Sequence, residues 1–248
     1  MNPARIVGIL FILQISGYPV VMAQRYLTTF GTVTTLRVDS STGGILGADF
    51  DGDGREDIAA YGSGGVACFL SDTGTAVFRR AAWHSPQPLK KAAAARCNQD
   101  RQADLVAITG ADQSTIQALL AGGKGRFTVS WTYHNDRPVE QFVLADLDGD
   151  HRTDIVVFGK KQLGLTVFRG QGNGTFRPPQ QLLTDYSFGT LLVTSLRDNG
   201  ILDIVGANWI LNEVLVFPGF GKMKFSDPLV IRCSSEPTQL QTAYLDTD

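Results

Sequence analysis

The stretch Asp146-Leu147-Asp148-Gly149-Asp150-His151-Arg152-Thr153-Asp154, continuing through IVVF to Gly159, sets carboxylates at loop positions 1, 3, 5 and 9 ahead of a short apolar run. The chain then reads LTVFRG (165–170), the turn QGNG (171–174), TFRPPQQL (175–182), and finally GTLLVTSL (189–196), which leads into another loop of the same kind. Four short apolar runs separated by Gly-, Asn- and Asp-bearing turns predict four β-strands. Helices are excluded because Gly or Pro interrupts every window long enough to show a 3.6-residue period.

The same order recurs along the chain. Phe78, Phe127, Phe176 and Phe225 sit 49 residues apart, with Phe30 one further step upstream. Each of the last four follows a glycine-containing turn, in SDTGTAVF, AGGKGRF, GQGNGTF and GFGKMKF. Four strands in about 49 residues is the content of a propeller blade, so the predicted fold is an all-β propeller of four-stranded blades. The phenylalanines, with Trp83 and Trp131 in phase behind two of them, are expected to fill the spaces between neighbouring sheets. Trp209 has no aromatic counterpart in the other units, which leaves packing and a stacking surface for sugar both open there.

Composition agrees. The 248 residues are 43% hydrophobic and 19% charged, with 27 glycines and 10 prolines, enough apolar material for a core and enough turn formers for many short strands. A net charge of −2 leaves no basic surplus to hold nucleic-acid phosphates or an anionic membrane surface. Residues 1–23, MNPARIVGILFILQISGYPVVMA, read as a signal peptide cleaved after Ala23, because Gln14, Ser16 and Pro19 cut the apolar run short of a membrane span. The expected localisation is therefore secreted, cell-surface or periplasmic, with no membrane insertion after cleavage. Cys68, Cys97 and Cys233 are odd in number and widely spaced, and form neither a disulfide framework nor a zinc motif.

The chemistry lies in the acidic loops. Asp49-Phe50-Asp51-Gly52-Asp53-Gly54-Arg55-Glu56-Asp57 repeats the 1-3-5-9 spacing of 146–154. Four carboxylates in nine residues repel one another unless a cation sits among them, and Ca2+ takes six to eight such oxygen ligands. The candidate ligands are Asp49, Asp51, Asp53 and Asp57 with the carbonyl of Arg55, and Asp146, Asp148, Asp150 and Asp154 with the carbonyl of Arg152. His151 stands where the first loop has Gly54 and is expected to face solvent. Two further slots are decayed: 96–104 keeps Asp100 and Asp104 behind Arg96, and 195–203 keeps Asp203 with Arg197 at position 3. There each guanidinium is expected to replace the ion.

The segments FDGDGREDIAAYG (50–62), LDGDHRTDIVVFG (147–159) and GNGTFRPPQ (172–180) resemble the FG-GAP and VCBS repeats of integrin-α-like β-propellers, and the resemblance covers essentially residues 24–248. It implies a ring of four-stranded blades, commonly seven, with calcium in loops of the form DxDxDGxxD. It also implies an extracellular role in adhesion or ligand binding, or as a module attached to an enzyme. Residues 24–248 hold about 4.5 units, and Ala243–Asp248 reads as half of a fifth acidic loop, with Asp246 and Asp248 candidates for a third site. The expectation is an incomplete or open ring whose C-terminus is truncated. His84, His134 and His151 form no triad or metalloprotease pattern, so the expected function is a non-catalytic binding scaffold with an extracellular protein or glycan ligand. A lectin, or an accessory module of a polysaccharide-active enzyme, is the alternative.

Overall fold

In the computed structural model the described residues are 35–38, 41–72, 78–81, 88–159, 163–197 and 199–242. The expectations for the segment 1–23, Phe30, Trp83, His84, Asp246 and Asp248 lie outside them. Every strand described below belongs to the unit Leu36–Asp248.

Blade 1 consists of β1 (Thr42–Ala48), β2 (Asp57–Gly62), β3 (Gly65–Ser71) and β4 (Phe78–Arg80). Blade 2 holds β5 (Leu89–Ala95), β6 (Asp104–Thr109), β7 (Thr115–Ala121) and β8 (Phe127–His134). Blade 3 holds β9 (Gln141–Ala145), β10 (Asp154–Phe158), β11 (Leu163–Phe168) and β12 (Gln180–Ser187). Blade 4 is β13 (Thr190–Thr194), β14 (Asp203–Asn208), β15 (Glu213–Phe217) and β16 (Leu229–Arg232). Each blade is an antiparallel meander in chain order, and the four form a four-bladed β-propeller. Among the described residues no helix is long and apolar enough to cross a membrane.

The structural blade starts one strand before the acidic loop, whereas the sequence unit was framed from loop to loop. The strand before each loop pairs with the strand after it: Ala48 lies opposite Asp57, Ala95 opposite Asp104, Ala145 opposite Asp154 and Thr194 opposite Asp203. The acidic loop is thus an intra-blade hairpin connection, and the chain crosses to the next blade after the Phe-bearing segment.

The second strand of each blade lies inside its sheet with both faces covered. This is why DLVAIT, DIVVF and DIVGAN are buried throughout and read as continuous apolar runs rather than alternating ones. In blades 2 and 3 one face packs on the preceding blade and the other on the next. Between blades 1 and 2, Phe50, Ala59 and Cys68 meet Leu105, Leu119 and Phe127. Between blades 2 and 3, Val106, Ile108 and Ile116 meet Ile155, Phe168 and Phe176. Blades 3 and 4 close over Val156, Phe158, Leu165, Ile204 and Phe217. Burying each such side chain contributes about 1.5–3 kcal/mol, so the inter-blade seams carry the stability of the array.

Among the periodic aromatics, Phe127, Trp131, Phe176 and Phe225 serve these seams as expected. Phe50 and Phe127 meet edge to face at 5.5 Å, and Trp131 lies 5.4 Å from Phe168 and 5.0 Å from Phe176. The hairpin at 171–174 reaches into the neighbouring blade, where Gly174 N–H donates to the Cys97 carbonyl at 2.8 Å. Gly174 has φ +83°, and a Cβ there would approach the Leu120 side chain to 2.6 Å. Only glycine meets both demands. Asn173 Oδ1 accepts from Thr175 N and Oγ1 in the same turn, which is the turn role expected of it. Cys68 and Cys97 are buried free thiols pushed up to about 12 by burial, which removes them as nucleophiles.

Candidate metal centre

All four acidic-loop slots lie at one end of their blades, and the slot of blade 2 touches those of blades 1 and 3. Ala103 N donates to the Asp49 carbonyl at 2.7 Å, and Thr153 Oγ1 to the Arg96 carbonyl at 3.0 Å.

The loops of blades 1 and 3 have one frame. In blade 1, Asp49 Oδ1 accepts Gly52 N at 2.7 Å, and its Oδ2 accepts Gly54 N at 2.8 Å. In blade 3, Asp146 Oδ1 accepts Gly149 N at 2.8 Å, and its Oδ2 accepts His151 N at 2.7 Å. Gly54 has φ +85° and His151 +65°, so the histidine occupies the left-handed position that the first loop gives to glycine. Its side chain is 97% exposed, as expected.

Three carboxylates converge in each loop. Oxygen atoms of Asp49, Asp51 and Asp57 all lie within 4.8 Å of one another, and those of Asp146, Asp148 and Asp154 do the same. Asp53 and Asp150, also candidate ligands, turn to arginines. Asp53 pairs with the Arg55 guanidinium, and Asp150 lies 3.7 Å from Arg152. The converging donors are hard carboxylate oxygens without nitrogen or sulfur, which fits calcium better than zinc or copper.

Burial and mutual repulsion raise the carboxyls of both clusters. Burial, then the charges of Asp53 and Asp49, hold Asp51 above the usual carboxylate range. Burial raises Asp57, with Asp51 and Asp53 adding to it. Burial, assisted by Asp148 and Asp150, pushes Asp154 up to about 6. A cation among these groups would offset each of these costs.

The structure adds a role that the ligand reading missed. Asp57 is fully buried and accepts Phe50 N at 2.9 Å and Ser71 N at 2.8 Å. Asp104 accepts Cys97 N and Ala121 N, Asp154 accepts Leu147 N and Gly170 N, and Asp203 accepts Leu196 N and Gly219 N, all at 2.8–3.0 Å. The position-9 aspartate is thus a staple in every blade, joining the start of the loop to the end of the third strand. The signal was present in the sequence, because Asp104 and Asp203 persist in loops that have lost other carboxylates.

The decayed loops divide. Arg197 Nη2 lies 2.7 Å from Asp203 Oδ1 and 2.6 Å from the Gly219 carbonyl, so a guanidinium stands in for the ion as expected. Burial would raise Asp203, but the hydrogen bonds from Gly219 and Arg197 outweigh it and hold this carboxyl low. In blade 2 the expectation fails. Among the described residues Asp104 forms no ion pair with the exposed Arg96, and burial holds the Asp104 carboxyl above the usual range despite its two backbone donors. Arg96 begins the loop with its side chain exposed to solvent. A second arginine was not foreseen: Arg169, at the end of β11, pairs with Asp148 in the blade 3 cluster.

Residues 97–157 match the family model described as FG-GAP-like repeat, from the blade 2 loop into β10. No curated protein matches the chain. Among solved structures it is similar to one described as the structural basis of specific recognition of non-reducing terminal N-acetylglucosamine by an Agrocybe aegerita lectin. That similarity has a TM-score of 0.56 at 24% identity, and covers 74% of this chain and 50% of the lectin. The chain thus spans about half the length of the lectin it matches, and at this identity the likeness speaks for the fold. With four antiparallel four-stranded blades and an FG-GAP-like match at residues 97–157, the chain is consistent with an FG-GAP repeat protein.

Proposed function

We propose that the protein is an exported, calcium-binding propeller that acts as a non-catalytic binding scaffold. The observation that carries the calcium reading is the pair of carboxylate clusters at equivalent places in blades 1 and 3. When bound, the ion supplies charge compensation and ties Asp49, Asp51 and Asp57, or Asp146, Asp148 and Asp154, to one centre. The chain's own residues already pre-shape that centre, since Asp49 and Asp146 gather the loop amides and Asp57 and Asp154 anchor the loop to the third strand. Calcium is therefore structural, holding one end of blades 1 and 3 rigid for a ligand to meet. Export rests on the character of residues 1–23, and millimolar extracellular calcium suits loops with affinities near 10⁻⁴–10⁻³ M.

A thermal-unfolding titration tests this. At 10 mM calcium an occupied loop of that affinity adds about 1.5–3 kcal/mol. Asp51→Ala and Asp148→Ala should each remove part of the gain. Unfolding that is indifferent to calcium in the unaltered protein would remove the central claim.

The ligand class favoured by one observation is carbohydrate, because the similar solved structure is of a lectin described as recognising terminal N-acetylglucosamine. A glycan array probed with and without calcium tests it. Calcium-dependent binding to terminal sugars supports a lectin, and a blank array turns the search to protein ligands.

A further inference from the structure

We infer that Arg169 is an internal counter-ion that competes with the cation at the blade 3 loop, so that the two acidic loops, alike in sequence, differ in calcium affinity. The inference rests on the calcium reading and adds to it a residue outside the acidic motif.

The register of the staples defines the position. In each blade the position-9 aspartate accepts the amide at the end of the third strand, from Ser71, Ala121, Gly170 or Gly219. The residue just before that amide is Leu70, Leu120, Arg169 and Pro218 in turn. Blade 3 alone of these four places a cationic side chain there. Its Nη2 contacts Asp148 Oδ2, while the other Asp148 oxygen accepts Asp150 N at 3.2 Å. The Asp148 side chain is 5% exposed, and it supplies one of the three oxygens that converge with those of Asp146 and Asp154. A divalent ion and a guanidinium cannot both take this carboxylate at close range without repelling each other. In blade 1, among the described residues, no arginine contacts Asp51, since Leu70 is apolar and Arg55 pairs with Asp53 instead.

Arg169 and Arg197 differ in how completely they are held. Arg197 donates both to Asp203 and to the Gly219 carbonyl. The Arg169 Nε is buried with no hydrogen-bond partner. An arginine with one buried donor unsatisfied is displaceable, whereas Arg197 is a permanent replacement. Blade 1 therefore depends on its ion, blade 4 needs none, and blade 3 exchanges one cation for the other.

Calorimetric calcium titration of the full chain tests this with each loop isolated. In an Asp51→Asn background, which silences blade 1, Arg169→Gln should tighten the remaining site by about tenfold, the factor matching one charge-assisted hydrogen bond. Arg169→Lys keeps the charge and should tighten it less. In an Asp148→Asn background, which silences blade 3, Arg169→Gln should leave the blade 1 site unchanged. In calcium-free buffer Arg169→Gln should also lower the melting temperature, because Asp148 loses its partner. Unchanged or weakened binding in the Asp51→Asn, Arg169→Gln protein, with blade 1 still binding in its own background, overturns the role of Arg169 alone. Absence of calcium binding in every variant and in the unaltered protein overturns the calcium reading and this inference with it.

Discussion

The acidic loops of blades 3 and 4 share one scaffold and neutralise it differently. Both carry the buried staple, Asp154 or Asp203, with the same two backbone donors. In blade 3 Asp146 and Asp148 converge on the staple, whose carboxyl is pushed up to about 6, chiefly by burial. In blade 4 Ser195 and Arg197 replace those aspartates, the guanidinium lies 2.7 Å from the staple, and the carboxyl is held low. The difference separates two jobs that a calcium-loop motif merges: holding the loop to the sheet, and answering its charge. Every blade does the first, and each blade answers the second separately.

The comparison breaks most readily at the staple. Asp104→Ala, in a loop without a carboxylate cluster, leaves the buried amides of Cys97 and Ala121 without acceptors. At about 1–3 kcal/mol for each unsatisfied group, it should cost about 3 kcal/mol in denaturant unfolding, and calcium should not restore it. A loss below about 1 kcal/mol would mean that position 9 matters only where an ion binds. Arg197→Gln comes next. Discounted for the 42% exposure of the arginine side chain, its loss should cost about 1–2 kcal/mol, again without rescue by calcium, because no carboxylate stands at positions 1 or 3 of that loop. Rescue by calcium would place a metal site in blade 4 after all.

Acidity sharpens the contrast further. Asp154 rises from 3.8 to about 6 on folding, so the folded state binds its proton more tightly than the unfolded state does. Its stabilising contribution is complete below the unfolded value and is lost as pH rises through about 6. Calcium-free thermal unfolding should therefore gain on the order of 1 kcal/mol from this group between pH 7 and pH 5, and Asp154→Asn should lack that gain. Asp203 has the opposite sign, since its depressed carboxyl contributes above the unfolded value and loses that only as pH falls through the lower folded one. It should hold blade 4 unchanged over the same interval. The smallest effect is at His151, whose φ of +65° matches the Gly54 position. His151→Gly should stabilise the blade 3 loop by about 0.5 kcal/mol, and a loss would show that the His151 side chain, 3.8 Å from Asp146, contributes more than its backbone costs.

Much of this was legible in residue order. The 49-residue recurrence of phenylalanine marked the blades, and the 1-3-5-9 spacing marked the loops of blades 1 and 3. Arg197 could be paired with Asp203 from sequence because six residues of tight loop separate them. Arg96 was assigned the same task and does not perform it: its side chain is exposed, and among the described residues Asp104 is held by backbone donors without an ion pair to it. Arg169 could not be found this way. It lies 21 residues from Asp148, just past the end of β11, and only the pairing of β10 with β11 brings it over the loop.

The sequence by itself determined what is local and repeated: strand content, blade period, the carboxylate-rich loops and their turn glycines. These depend on side-chain periodicity and backbone preferences that act over a few residues. The tertiary structure decided where a blade begins and that position 9 is a staple. It also decided which cation each loop meets, an arginine from across the sheet in blade 3 and one from within the loop in blade 4. These depend on strand register and on burial, and both arise only when distant segments pack and exclude water around the same carboxylate.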